Sequence, residues 1–334
     1  MCRSFRSFRP FSFFLFILAF LISGASTTRA AGGPAAPDQI RITAAANVTV
    51  RALPAAGSPV VAQVPLGTEL TDSSLAGLDK TWVRVALADG REGWVLANLT
   101  KPLDPHWRWP TFDEIIADRL RRKGDAFPAL AELATFIERV APEYTDPDGR
   151  ARVEFARLRA ISLAAKAIPV QGGTREPYAS WLKGLKARGT DVVYDESGKR
   201  WMLAARPIWE AHARIQSASI ADEVAWFAVT NGVGGECKGY LVCYFDRRNR
   251  LHGEYLRHHP NGQHATDAVG VLKETADQIG APAKPGEAFL FDRGRDCRDV
   301  TASLDALTSA VTGTRVGVRD ATIASLASLR RICQ

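Results

Sequence analysis

Two tryptophans and two arginines in the one β-patterned stretch of the chain are of types that build a recognition surface. Trp82 and Trp94 are large amphipathic side chains of the kind that stack on sugar rings or peptide backbones, and Arg51 and Arg91 can pair with carboxylates. These four are the expected ligand-binding residues. A tryptophan on the last strand of a small β-domain also serves as core filling, so the same residues have a structural reading. The stretch is strand-like because Val48 and Val50 alternate with polar neighbours, as do Trp82 and Val83 against Arg84. Between two apolar runs stands Asp89-Gly90, where glycine accepts the positive φ of a tight hairpin turn.

Other residues of chemical interest cluster late in the chain. His252, His258, His259 and His264 are four of six histidines and lie within thirteen positions, near Cys243. Zinc requires three or four such ligands in defined geometry, but no His-Glu-x-x-His or Cys-x-x-Cys spacing is present. Adjacent His258 and His259 point to different helix faces, so a polar helix end is the expectation, with no metal and no cofactor. The glycines of 232–235 lack the Lys-Ser/Thr of a phosphate loop, and no Gly-x-Ser-x-Gly nucleophile motif occurs. Asp113/Glu114 and Asp222/Glu223 are expected at helix starts, where they complement the helix dipole.

Residues 1–31 have the form of a cleavable signal peptide: Arg3, Arg6 and Arg9, an apolar run over 13–22, then small residues. Ten core residues are too few to span about 30 Å of hydrocarbon, which takes roughly 20 in a helix. A periplasmic or extracellular location without a stable membrane span is expected. Removal of Arg3, Arg6, Arg9 and Arg29 takes the formal charge from +7 to +3, with no basic stripe that would demand nucleic acid. Cys2 leaves too, and the even remainder of Cys237, Cys243, Cys297 and Cys333 favours disulfides in an exported chain. Four cysteines allow three pairings. Cys237–Cys243 as a local pair, with Cys297–Cys333 tying back the last helix, is the expected one; four buried thiols are the alternative.

The 334-residue length predicts several cores. A Gly/Pro-rich linker over 32–39 leads to a β-domain over 40–102, with strands at 60–64 and 67–70 and a variable tip at 75–80. Prolines 102, 105 and 110 mark its end. A helical unit over 111–169 follows, with Thr111 as N-cap to Glu114 and helices at 127–140 and 150–168. Residues 175–334 predict a helical domain with a β-hairpin at 191–204. Its helices are expected at 177–189, 208–215, 218–229, 240–258, 263–279, 300–311 and 319–332, with a Pro-rich loop at 281–286.

The strand and turn pattern of 47–98 resembles the bacterial SH3 domain, a small β-barrel appended to exported cell-envelope proteins. The resemblance covers less than a fifth of the chain and implies a multidomain protein: an SH3-like β-barrel, then a mostly α-helical body with one β-hairpin. It implies binding of peptidoglycan, a stem peptide or an envelope protein, without catalysis. Bacterial SH3 domains also accompany papain-like cell-wall peptidases, so a hydrolase with Cys237 as nucleophile and His252, His259 or His264 as base is the rival. Against it, the residues after Cys237 read as helices and Cys243 is close enough to bond it. Residues 254–268 resemble the helix–turn–helix of tetratricopeptide-like envelope proteins. There Gly262 would take a left-handed turn, and Ala265 and Ala268 would allow close helix approach. An inhibitor or chaperone docking through that pair, around Pro260, is a third reading.

Overall fold

The computed structural model describes residues 39–73, 81–196, 198–232, 237–282 and 289–334. The expected signal peptide, the linker up to residue 38, the tip at 75–80, and most of the loops at 232–235 and 281–286 lie outside the described residues.

Seven antiparallel strands come first: β1 Gln39–Thr43, β2 Val48–Arg51, β3 Val60–Val64, β4 Glu69–Asp72, β5 Trp82–Ala86, β6 Glu92–Leu96 and β7 Thr100–Pro102. They form one sheet in the order β3-β2-β6-β5-β4-β1-β7. The hairpin between β5 and β6 closes at Asp89-Gly90 as expected, with Gly90 at φ 83 and Leu87 N–H donating to the Arg91 carbonyl at 2.8 Å. Strand alternation puts Val48, Val50, Val83, Val85 and Val95 on one buried face. β1 and β7 had no separate expectation, because each is held by partners distant in sequence: β1 lies between β4 and β7.

The body that follows is mostly helical. Its elements are α1 Trp109–Arg121, α2 Phe127–Val140, α3 Pro147–Lys166, α4 Tyr178–Ala187, the hairpin β8 Val192–Asp195 with β9 Arg200–Leu203, α5 Ala205–Arg214 and α6 Ala221–Asn231. Then come α7 Leu241–Arg248, a π-helical turn Asn249–Gly253 and α8 Glu254–His258, forming one continuous helix. α9 Ala265–Gly280, α10 Arg293–Thr312 and α11 Arg319–Leu329 complete the chain. Among the described residues no helix is long and apolar enough to cross a membrane.

Several helix starts differ from expectation, by three residues at α3, α5 and α6 and by seven at α10, which begins at Arg293, where Asp292 caps it, and not at Val300; α1 is the most instructive. α1 begins at Trp109, two residues before Thr111, because Pro110 fits the first turn, where its missing N–H costs nothing. Thr111 Oγ1 donates to the Pro102 carbonyl instead of capping. Asp113 then lies inside the helix and accepts the Tyr144 hydroxyl at 2.7 Å, while Glu114 pairs with Lys101 at 2.5 Å. Both carboxylates are tertiary links here and have no role at the helix start.

The sheet is fixed to the body at the turn between β3 and β4. Ile42, Leu66 and Leu103 enter the same apolar cluster as Phe112, Leu133, Phe136 and Ile161. Glu132 of α2 accepts the Leu66 N–H, and Arg139 Nη2 donates to the Leu66 and Gly67 carbonyls, each at 2.9 Å. Gly67 has φ 74, and a Cβ there would overlap the Phe136 ring and the Arg139 guanidinium. Only glycine satisfies both constraints. A second apolar cluster holds α7 to α11, with Phe245, Tyr255, Leu272 and Leu304 in its centre. Gly67→Ala is expected to destabilise the protein by about 2–4 kcal/mol, from backbone strain plus overpacking. Chemical denaturation would measure it, and a loss under about 0.5 kcal/mol would contradict this account of the seam.

Candidate functional site

Across the outer face of the sheet, strand register lines up three of the residues that could bind a ligand. Arg51 on β2 is opposite Trp94 on β6, and Trp94 is opposite Arg84 on β5. Trp82 is two residues from Arg84 and faces Leu96, diagonal to Trp94. Both tryptophans are half-buried and belong to none of the apolar clusters. The core under them is made by the alternate residues Val83, Val85 and Val95, so the core-filling reading of these tryptophans does not describe them. Close approach of β2 to β6 depends on Gly93, where a Cβ would sit 2.7 Å from the Arg51 carbonyl oxygen. Arg51 Nη1 donates to the Ser58 carbonyl at 2.7 Å, and Arg84 pairs with Glu92 at 2.5 Å, which orients both guanidinium groups.

Arg91 stands apart from this row. It is on the hairpin turn, where it pairs with Asp89 at 2.7 Å and donates to the Val61 carbonyl. Asp89 beside it holds its guanidinium above the ordinary arginine range, and the same pairing lowers the Asp89 carboxyl. Arg84 was missing from the expected set, although its alternation with Val83 already placed it on the face of Trp82. Also unexpected are Trp107 and Trp109, 60% and 39% exposed, in edge-on contact at 5.8 Å. Between them Arg108 is bound by Glu69 and Glu143; the surrounding prolines had marked this segment only as a boundary.

The late cysteines are paired as expected. Cys237 and Cys243 form one disulfide, with Cα atoms 5.2 Å apart, and Cys297 and Cys333 the other, at 5.4 Å. In that state Cys237 offers no thiolate. The histidines separate into two groups. His212 Nε2 is 2.8 Å from His259 Nε2, with His258 and Trp209 around them. His264 stacks on Trp226 with centroids 4.7 Å apart, and His252 meets the same indole edge-on. Among the described residues no group of three or more His, Cys, Asp or Glu is placed to hold a metal.

A hydrogen-bonded node joins these groups. Asp222, in the first turn of α6, accepts the Tyr255 hydroxyl at 2.5 Å and the Gln263 N–H at 2.7 Å, and the hydroxyl oxygen accepts the His264 N–H at 3.0 Å. Burial and the Asp222 hydrogen bond push the Tyr255 hydroxyl well above its usual range. Gly262 packs against this node. Its φ is not positive; a Cβ would instead lie 2.6 Å from the Tyr255 hydroxyl, so close approach and not a left-handed turn demands glycine.

Comparison with known protein families, curated proteins and solved structures finds no match for this chain.

Burial lowers His252 to about 3, helped by Arg248 and Arg247, and lowers His212 to about 4, helped by His258 and His259 against Glu254 and Asp222. Burial lowers His259 as well. Each depressed histidine is neutral in the folded protein and binds a proton on unfolding below its unfolded value of about 6.5, so stability falls as pH falls from about 6.5 towards 4. Denaturation at pH 7.5 and pH 5 is expected to differ by at least about 1 kcal/mol for each of His212 and His252. His212→Gln and His252→Gln should flatten the slope; an unchanged slope in both would contradict the assignment.

Proposed function

We propose that this chain is an exported binding protein of the cell envelope, acting without catalysis, and that the outer face of its sheet is the recognition surface. The observation that carries the reading is the row Arg51–Trp94–Arg84 with Trp82 beside it. Indole faces supply stacking surface for a sugar ring or peptide plane, and guanidinium groups on either side of an indole supply bidentate partners for carboxylates. Peptidoglycan combines the two chemistries, because its sugars carry short peptides that end in carboxylates. In this proposal the sheet is the SH3-like barrel suggested by the pattern of residues 47–98, and the helical body is the scaffold that holds it.

The disulfides support the periplasmic or extracellular setting that the sequence of 1–31 suggests, since such bonds persist in oxidising compartments. The Cys237–Cys243 bond also favours binding over the hydrolase alternative, which needs Cys237 as a free thiolate.

Pelleting of the protein from residue 32 onwards with purified peptidoglycan sacculi tests the reading. Retention is expected at low salt, reduced about tenfold by Trp94→Ala and by Arg51→Ala, as for central residues of an interface. Arg298→Ala, on a side chain that is 93% exposed and far from the sheet in sequence, should leave it unchanged. Sacculus turbidity should stay constant. Absence of retention, or equal retention of all variants, would overturn the reading. A turbidity loss abolished by Cys237→Ala would replace it with the hydrolase.

A further inference from the structure

The outer face of the sheet does not stop at the row Arg51–Trp94–Arg84. β5 and β4 pair with Ala86 opposite Thr71, and Glu69 follows two residues on, on the same face. Arg84 and Glu69 are exposed, and Ala86 and Thr71 between them are half-buried. The path from Arg84 to Glu69 therefore carries no large side chain. At its far end Glu69 bonds Arg108, the residue between Trp107 and Trp109.

This second pair of indoles is held in place and left uncovered. Leu103 and Phe112, on either side of it in the chain, are buried in the apolar cluster that joins sheet and body. Arg108 is fixed between Glu69 and Glu143, the latter at 3.2 Å, and lies over the Phe112 ring. Trp107 and Trp109 remain exposed, in edge-on contact with each other. Adjoining apolar surface that folding leaves in water, with a polar rim, marks a binding site.

Charge around the pair narrows what it takes. Arg108 faces two carboxylates. Lys101, on the same sheet face and two strands from Glu69, is held by Glu114 at 2.5 Å and Asp118 at 3.7 Å. Both cations are outnumbered, so an anionic lipid surface or a stem-peptide carboxylate finds no complement there. What the pair offers is ring faces, on which an uncharged sugar ring stacks. Register sets the spacing. Glu69 is four residues along and two strands across from Trp94, about 16 Å on an ideal sheet, and the indoles lie further on. That exceeds one disaccharide, so a ligand that reaches both tryptophan pairs is a polymer.

We propose that Trp107 and Trp109 form a second stacking subsite for the sugar rings of one glycan strand, whose peptide-bearing unit sits on Arg51, Trp94, Arg84 and Trp82. The inference rests on the reading of the sheet face as a peptidoglycan-binding surface. It adds the course of the strand, from β6 across β5 and β4 to the start of α1. A second linked contact raises affinity for the polymer and leaves affinity for a single unit unchanged.

Two forms of one ligand test the proposal on the protein from residue 32 onwards: sacculi by pelleting, and a soluble disaccharide-peptide muropeptide by calorimetry. Trp107→Ala/Trp109→Ala should weaken retention on sacculi about tenfold or more, and change muropeptide affinity by less than about twofold. Trp107→Tyr/Trp109→Tyr, which keeps a stacking ring, should restore most of the retention. Trp94→Ala should weaken both forms. Trp107→Ala alone, at the more exposed indole, should show the same selective loss, and it keeps the test decisive if the double variant does not fold. Retention lost in Trp94→Ala but equal in Trp107→Ala/Trp109→Ala overturns the inference and leaves the sheet reading standing. A parallel loss on the muropeptide overturns it too, because the pair would then not be a separate subsite. Binding to phosphatidylglycerol–phosphatidylethanolamine vesicles that the double variant abolishes, with sacculi retained equally, assigns the pair to lipid and overturns it. No binding of either form by the unsubstituted protein overturns the reading and the inference together.

Discussion

The turn at Leu66–Gly67 is the constraint on which the arrangement of this protein depends. It is where a sheet and a helical body, each with its own apolar interior, become one structure. Three residues on one face of α2 make the contact: Glu132 takes the Leu66 N–H, Arg139 donates to two successive carbonyls, and Phe136 lies under Gly67. Charged side chains thereby satisfy backbone groups that a buried turn would otherwise leave unpaired, a loss of about 1–3 kcal/mol for each group. The neighbouring strand is tied to the same place. The Thr43 hydroxyl, fully buried, donates to the Pro65 carbonyl and accepts the Thr68 N–H. The body covers the β1–β4–β7 end of the outer face, through Ile42, Glu69 and Lys101, and leaves the β2–β6–β5 end of that same face, carrying Arg51, Trp94, Arg84 and Trp82, to meet a ligand.

Much of this was legible in the sequence where signals are local. Residues 127–140 form a helix over the expected span, because Leu130, Leu133, Phe136, Ile137 and Val140 repeat at helical spacing. The Asp89-Gly90 turn, the hairpin over 191–204 and both cysteine pairs were also readable, the first two from turn chemistry, Cys237–Cys243 from chain proximity and Cys297–Cys333 as the pair that remains. Helix starts were less legible. Pro110 and its neighbours looked like a break, yet a proline in the first turn begins a helix as readily as it ends one.

The candidate site was half legible for a related reason. Arg84 and Trp94 face each other across a short hairpin, a local matter. Arg51 reaches Trp94 only because β2 pairs with β6 across some forty residues, with Gly93 permitting the approach. No pattern within either strand encodes that pairing. Arg91, close to Trp94 in sequence, is on the turn and outside the row. The Trp107–Trp109 pair was not legible as a site, since Glu69 and Glu143 meet at Arg108 only through the packing of sheet and body.

The account therefore has one face with two aromatic groups on it, and its central claim concerns the first, on β2, β5 and β6. Hydrogen–deuterium exchange of the whole protein, with and without soluble muropeptides carrying intact peptide stems, tests that claim most directly. The account predicts added protection in β2, β5 and β6, with α7 to α11 unchanged. Protection confined to the helical body, or none in those three strands at saturating muropeptide, would contradict it.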